Sequence, residues 1–249
     1  MKLNQKKSIS LIVLAIMLNS CGIVYRTILG IDTTPKWKTI NDITKDFEKR
    51  KIPNNQRFVL DTASYSNLVR FEKNKKIEEL KSDSANYDSI EIERIYENAK
   101  NDLQPVQVRY FSNNGEAFFK MINCYVQPLI PMTWNVEGCF DIFPPKTISY
   151  LENDENENLE FFLPHIKTLD GDSITFKSLP KADYYAIVFW NSFMIKPSKK
   201  LISVLNKYDE KNLNQNTYFL FVNNHNAEIW SYCNNQQKAD IVMELKEEQ

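Results

Sequence analysis

The clearest pattern of apolar and polar positions lies in residues 170–222, where it predicts a strand, a helix and a second strand. The run Tyr184–Trp190 is apolar throughout, which is typical of a central parallel strand with both faces buried. Within residues 197–212, four apolar positions recur at helical spacing: Leu201, Val204, Leu205 and Tyr208. Residues 217–222 form the second apolar run. We therefore predict an α/β fold whose core is this strand–helix–strand unit.

The residues before this unit predict further short elements. Thr39 and Asp42 have the spacing of a helix-capping pair, and Pro53 ends the helix that they begin. Three more elements are predicted from periodicity: a strand at residues 57–61 and helices at residues 65–81 and 89–101. These elements extend the α/β pattern toward the N-terminus.

Residues 105–125 predict a β-hairpin. Apolar and polar positions alternate before the turn Asn113-Asn114-Gly115, and an apolar segment returns after it. A second Asn-Asn pair stands at residues 223–224, and each pair is followed by a predicted return strand and a cysteine. This similarity has two interpretations: the chain contains two copies of one unit, or the similarity arose by chance.

Composition narrows the possible chemistry. The chain has 249 residues, of which 43% are hydrophobic, as in ordinary globular proteins. Only 5 glycines are present, and no glycine-rich phosphate-binding motif can be found. The formal net charge of −1 gives no case for nucleic-acid binding. Neither His165 nor His225 has a second ligand at zinc spacing, so we expect neither a metal nor a cofactor.

The N-terminus has the pattern of a signal peptide. Three lysines precede an apolar run at residues 9–18, which is shorter than the roughly 20 residues that span a bilayer. The run ends in Leu18-Asn19-Ser20-Cys21, which resembles the lipobox of bacterial lipoproteins. The resemblance implies that residues 1–20 are removed and that Cys21 is lipidated. The alternative is an ordinary signal peptide or a short anchor helix that happens to end in cysteine.

The residues after Cys21 indicate in which membrane the lipoprotein would reside. They include neither an aspartate resembling an inner-membrane retention signal nor the charged cluster of surface-exported lipoproteins of the Bacteroidetes type. By that resemblance we expect an outer-membrane lipoprotein whose lipid enters the membrane and whose chain faces the periplasm. In this oxidising compartment Cys124 and Cys139 are the expected disulfide pair, worth about 3 kcal/mol. Three pairings are open, and Cys233 is the expected free thiol.

The segment at residues 169–180, LDGDSITFKSLP, together with the Phe189-Trp190 end of the apolar run, resembles the start of a thioredoxin-like redoxin of the TlpA or peroxiredoxin type. In those families a short hairpin leads into a strand that ends in Phe-Trp, followed by Cys-x-x-Cys at the start of a helix. Pro105 and the hairpin after it resemble the later proline and hairpin of the same fold, where the proline is cis and faces the dithiol.

The order of these parts is reversed here, because the hairpin precedes the strand–helix–strand unit. The resemblance therefore implies a thioredoxin-like sheet with flanking helices in a permuted or doubled version. Four regions follow from it: a signal peptide (1–20), a tether (21–38), an N-terminal α/β half with the hairpin (39–168) and a C-terminal redoxin-like βαβ half (169–249).

The redox chemistry of the family does not carry over. The two cysteine positions fall at Met194 and Pro197, next to Trp190 and Asn191, so the redox site is degenerate. A dithiol enzyme needs a thiolate at the helix N-terminus and a second thiol nearby, and neither residue supplies one. We therefore expect no catalytic residue in this turn.

The predicted function is a redox-inactive, lipid-anchored periplasmic module that binds or assembles an envelope partner. Two alternatives remain open. One is a single-cysteine thiol–disulfide oxidoreductase or peroxidase-like enzyme that uses Cys233. The other is a structural subunit of an envelope complex, in which a disulfide serves stability alone.

Overall fold

A computed structural model describes residues 30–64, 104–123, 133–146, 158–212 and 214–247. The helices predicted at residues 65–81 and 89–101 lie outside these ranges, as do Cys21 and Cys124. The described residues form a mixed α/β structure with one six-stranded sheet. No helix within the described residues has the length and apolar character needed to cross a membrane.

Strands from residues 39–168 and from residues 169–249 join in the same sheet. The strands are β1 (Arg57–Leu60), β2 (Gln107–Ser112), β3 (Ala117–Ile122), β4 (Ile166–Thr168), β5 (Tyr184–Trp190) and β6 (Thr217–Asn223). Their order across the sheet is β3-β2-β5-β6-β1-β4. The central strands β5, β6 and β1 run parallel, β2 and β3 form an antiparallel hairpin beside β5, and β4 is antiparallel to β1.

The predicted strand–helix–strand unit and hairpin are confirmed. The helices are α1 (Ile40–Lys49), α2 (Leu159–Phe162), α3 (Ile195–Lys211), α4 (His225–Tyr232) and α5 (Asn235–Glu247). The predicted start of α1 is also confirmed, because the Thr39 hydroxyl accepts a hydrogen bond from the Asp42 backbone N–H at 3.2 Å. Helix α3 begins two residues before the predicted start and includes Pro197 in its first turn.

Both faces of the sheet are buried. On one face, Val188 and Trp190 belong to a cluster with residues of α1 and α3. On the other face, Ile187 and Phe189 pack with the segment that holds α2. The polar side of the hairpin is therefore buried too, and Arg109, only 2% exposed, donates from Nε to the Gln107 side chain at 2.8 Å.

Two expectations from the sequence are wrong. The Asn-Asn pair at residues 223–224 precedes a helix, α4, and not a return strand, so Cys233 lies at the C-terminal end of a helix. The two Asn-Asn pairs therefore occupy different structural positions, a hairpin turn and a strand-to-helix junction. Pro105 does not follow a cis peptide bond, because the cis bond within the described residues is Phe143–Pro144.

Candidate functional site

Trp190 and the turn after it lie at the carboxyl end of the central strand β5, and α1 packs against them. Trp190 is fully buried, and its ring meets that of Phe47 edge-on at a centroid distance of 4.9 Å. The Arg50 guanidinium lies 4.3 Å from the centre of the same ring, in cation–π contact. The strand end is thus held in place from the side of α1.

The side chain of Asn191 organises the turn itself. Asn191 is fully buried, and its Oδ1 accepts from the Met194 backbone N–H at 2.8 Å. Its Nδ2 donates to Asn224 Oδ1 at 3.2 Å and to the Pro105 carbonyl at 3.4 Å. The Ser198 hydroxyl donates to the Asn191 carbonyl at 2.9 Å. A single amide therefore links the end of β5, the start of α3 and the chain that leads into β2.

Pro105 lies opposite this turn and is held by amide groups. The Pro105 carbonyl accepts from Asn224 Nδ2 at 2.7 Å as well as from Asn191. Asn224 comes directly after β6, so the ends of two parallel strands and the start of the hairpin meet here. The contact is built from neutral hydrogen bonds, in a position where the redoxin resemblance implies a proline beside a dithiol.

Met194 and Pro197, which the redoxin resemblance aligns with two cysteines, are enclosed. Met194 is 9% exposed, and the Pro197 carbonyl accepts from Trp134 Nε1 at 3.1 Å. Ile31 pairs with Met194 in an antiparallel bridge, and the Gly30 carbonyl accepts from the Ile195 N–H at 2.7 Å. The start of α3 is therefore covered by the chain just before α1.

Gly30 has a left-handed backbone that explains its place in this contact. Its φ is +65°, and a Cβ on this residue would lie 2.4–2.9 Å from the Lys196 side chain. A larger residue would force these two segments apart. The close approach at the N-terminus of α3 therefore depends on glycine.

Asp46 is a buried carboxylate that joins three segments beside the carboxyl end of β5. It is 7% exposed and accepts hydrogen bonds from the Lys38 ammonium and the Ser192 hydroxyl. The Arg50 guanidinium lies 3.9 Å from its other oxygen. Burial acts to raise the pKa of Asp46, but these partners outweigh it, so that the pKa lies below the usual 3.8.

Asp46 is absent from the predicted site residues, although the sequence indicates that it is buried. In α1 the apolar stripe includes Ile43 and Phe47, and Asp46 lies between them on the buried side of the helix. A carboxylate in such a position requires charged or hydrogen-bonding partners. The signal predicts that partners exist, but it does not identify them.

The chain before α1 is also fixed to α4. His225 Nε2 lies 2.8 Å from the Lys36 carbonyl, a hydrogen bond that requires the proton on Nε2. Burial lowers the pKa of His225, which favours this neutral ring. Asn226 forms two hydrogen bonds with the backbone of Lys38, accepting at 3.0 Å and donating at 2.8 Å. The backbone of residues 36–38 is thus bound by side chains of α4.

Glu228, in α4, is an acidic residue whose pKa is raised. It lies one turn after Asn224, whose Nδ2 approaches a Glu228 carboxylate oxygen at 3.4 Å. Burial raises the pKa of Glu228 to about 7 from the usual 4.5. The residue therefore changes charge near neutral pH, next to the asparagines that hold Pro105.

Both described cysteines are free thiols, and Cys139 belongs to the same buried cluster as Trp190 and Met194. Cys139 is buried, its Sγ lies 3.5 Å from the Trp134 carbonyl, and burial raises its pKa to about 12. Because Cys124 is outside the described residues, the Cys124–Cys139 pairing stays a prediction. Cys233 is half-buried at the end of α4, and its backbone N–H donates to the Trp230 carbonyl at 3.3 Å.

The two histidines do not come together. His165 Nδ1 is hydrogen-bonded to the Ser64 hydroxyl at the far edge of the sheet, whereas His225 contacts the chain before α1. Within the described residues, no group of three or more His, Cys, Asp or Glu side chains has a metal-binding arrangement.

Comparisons of the chain with protein-family models, curated proteins and solved structures found no match. The carboxyl ends of β5 and β6 carry two kinds of contact: a buried ion-pair cluster around Asp46 and neutral amide pairs around Asn191. No thiol takes part in either.

Replacing Asp46 with Asn is expected to lower the free energy of unfolding by about 1.5–3 kcal/mol at neutral pH, since charged hydrogen bonds are lost. The folded pKa of Asp46 is depressed, so its contribution is present above the unfolded pKa and is lost as pH falls through the folded one. The difference between wild type and Asp46→Asn should therefore shrink below about pH 4. Urea unfolding at several pH values measures it.

Glu48→Gln is the matched control, because Glu48 is an exposed residue of the same helix. Its effect should stay within about 0.5 kcal/mol. Equal losses for both variants would contradict the role assigned to Asp46.

Replacing Glu228 with Gln is expected to stabilise the protein increasingly as pH rises above about 4.5, with the full difference reached above pH 7. A raised folded pKa means that the folded state holds the proton more tightly, so wild-type stability falls as pH rises from about 4.5 through about 7. Gln cannot ionise, so the melting temperature of Glu228→Gln should exceed that of wild type above pH 7 and approach it below pH 4.5. Glu210→Gln, at an exposed position, is the control. A difference that does not vary with pH would contradict the assignment.

Proposed function

We propose that the mature protein is a lipid-anchored periplasmic binding module with a redox-inactive, permuted thioredoxin-like fold. Its partner is an envelope component, and its amide-rich sheet edge serves structure and recognition. The role combines three parts, namely the fold, the absence of dithiol chemistry and the lipid anchor. Each part has its own support.

The strand arrangement supports the fold. The redoxin resemblance calls for a strand–helix–strand unit joined in one sheet to an antiparallel hairpin. Here β5, α3 and β6 form the unit, and hairpin strand β2 lies antiparallel beside β5. The hairpin comes earlier in the chain, which favours permutation over doubling, since the two Asn-Asn pairs differ in structural position.

The enclosed start of α3 is the observation that carries the non-catalytic role. A reactive dithiol needs a thiolate that solvent and substrate can reach. Met194 and Pro197 instead stand at those positions. Ile31 pairs with Met194, and the Pro197 carbonyl accepts from Trp134 Nε1. The backbone N–H groups of Met194 and Ile195 donate to Asn191 Oδ1 and to the Gly30 carbonyl, so these donors are already engaged within the protein.

The lipid anchor rests on the residues before Cys21 and their resemblance to a lipobox. If Cys21 carries the lipid, its nine-residue separation from Gly30 limits the distance between anchor and fold to about 30 Å for a fully extended chain. The binding module would then work close to the membrane surface. Outer-membrane location, with the chain facing the periplasm, is part of the same proposal.

The purified protein is expected to leave insulin disulfides unreduced in the presence of dithiothreitol, beyond the uncatalysed rate. The physical reason is the lack of a thiol at Met194 and Pro197. Turbidity of precipitating insulin B chain measures the rate. Cys233→Ser is the control and should match wild type. Activity that disappears in Cys233→Ser would overturn the proposal in favour of the single-cysteine enzyme.

Replacing Cys21 with Ser is expected to abolish incorporation of labelled palmitate and to move the protein from the membrane to the soluble fraction. Loss of the acyl chains removes about 0.8 kcal/mol of membrane affinity per buried CH₂ group. Cys233→Ser, which keeps Cys21, should retain both the label and the membrane location. Label that persists in Cys21→Ser would refute lipidation at this residue.

A further inference from the structure

Helix α3 carries a row of lysines along its exposed face. The opposite face of the helix is buried through Leu201, Leu205 and Tyr208. The lysines follow one another at spacings of three, four, seven and eleven residues, which keep them on one side of a helix with 3.6 residues per turn. All of them are exposed. We call this surface the lysine stripe, and its members are Lys196, Lys199, Lys200, Lys207 and Lys211.

Acidic residues do not neutralise most of the lysine stripe. From Ile195 to Tyr208 the helix contains four lysines and no acidic residue, and its two acids, Asp209 and Glu210, follow in the last turn. Within the described part of the chain, the four lysines after Lys196 form no ion pair. The whole chain has a formal net charge of −1, so the positive charge of the stripe is local and does not follow from composition.

The stability of α3 does not explain where these lysines lie. Lys196, Lys199 and Lys200 occupy the first two turns, where the positive end of the helix dipole favours acidic residues and disfavours basic ones. The first turn of α3 contains no acidic residue to compensate. An anionic surface facing the stripe would offset this repulsion, since it attracts both the lysines and the positive end of the dipole.

The chain that leads to Cys21 meets α3 at the start of the lysine stripe. The Gly30 carbonyl accepts from the Ile195 N–H at 2.7 Å, and Gly30 lies directly against the Lys196 side chain. A lipid at Cys21 would therefore lie within about 30 Å of this end of the stripe. The stripe itself is about 22 Å long, at 1.5 Å per residue from Lys196 to Lys211. The membrane that holds the lipid is thus within reach of the whole stripe.

We propose that the lysine stripe docks the domain on the anionic phospholipid surface of the membrane in which the Cys21 lipid is anchored. Each lysine near such a surface contributes roughly a fivefold preference for it. The lipid holds the protein at the membrane, and the stripe fixes its orientation. The sheet face that packs with α1 and α3 then lies toward the membrane, and the face that packs with α2 lies away from it. The inference rests on the lipid anchor of the proposed function and adds an orientation to it.

The test measures lysine acetylation by an uncharged reagent on the lipidated protein in two kinds of nanodisc. One kind contains phosphatidylcholine alone, and the other also contains anionic phosphatidylglycerol. Peptide mass spectrometry should show Lys199, Lys200 and Lys207 reacting at least about threefold more slowly on the anionic nanodiscs. Lys177, an exposed residue on the face that packs with α2, should react equally on both. In 1 M salt, where the Debye length is about 3 Å, the difference should disappear.

A double charge reversal tests whether the lysine stripe causes the protection. In Lys200→Glu/Lys207→Glu, the protection of Lys199 by anionic lipid should be lost, because the stripe no longer carries an excess of positive charge. Lys177→Glu/Lys181→Glu is the matched control, since it makes the same change of charge at two exposed positions outside the stripe. It should leave the protection of Lys199 at the wild-type value. Circular dichroism melting checks that both variants fold.

Two outcomes would overturn the inference. Equal acetylation of the lysine stripe on both kinds of nanodisc would mean that it faces away from the membrane and serves another anionic partner, such as an acidic protein. Equal protection of Lys177 and the stripe would mean attraction without a fixed orientation. The intact mass of the purified protein separates the two possible failures. A lipidated chain without protection refutes the stripe alone, whereas a chain without lipid refutes the anchor and the inference with it.

Discussion

The buried carboxylate of Asp46 constrains three segments at once. It receives hydrogen bonds from Lys38 in the chain before α1 and from Ser192 in the turn after β5, while it is itself part of α1. A buried charge that loses a partner is costly, so these segments are expected to keep their positions together. Arg50, one turn along α1, extends the same constraint to the ring of Trp190. The carboxyl edge of the sheet depends on this cluster.

Around that cluster, asparagine side-chain amides hydrogen-bond to the backbone of neighbouring segments. Each amide offers both donors and an acceptor, so it can join backbone groups that have no regular partner. Asn191 and Asn224 hold Pro105, and Asn226 holds Lys38. These neutral contacts join the ends of β5 and β6 to the chain segments beside them. Asn223 differs from the others, since its Nδ2 is buried and has no hydrogen-bond partner within the described residues.

The regular elements were largely predictable, whereas the contacts of the edge were not. Strand β5 has the predicted bounds, because a fully buried strand leaves an unbroken apolar run. The return strand expected after Asn224 proved to be helix α4, since an Asn-Asn pair suits both a hairpin turn and a helix start. Met194 and Pro197 were expected at the start of α3, but the contacts of Met194 with Ile31 and of Pro197 with Trp134 had no local signal.

The sequence by itself determined the strand–helix–strand unit and the hairpin, and it supplied two expectations: a redoxin-like turn without its dithiol and a lipid at Cys21. Each is a property of neighbouring residues, such as periodicity, turn composition or a short motif. Only the tertiary structure decided the strand order and the meeting of Asn191 with Pro105, which lie 86 residues apart. It also decided the partners of Asp46. Such contacts depend on how distant segments pack, and no local pattern of side chains encodes that packing.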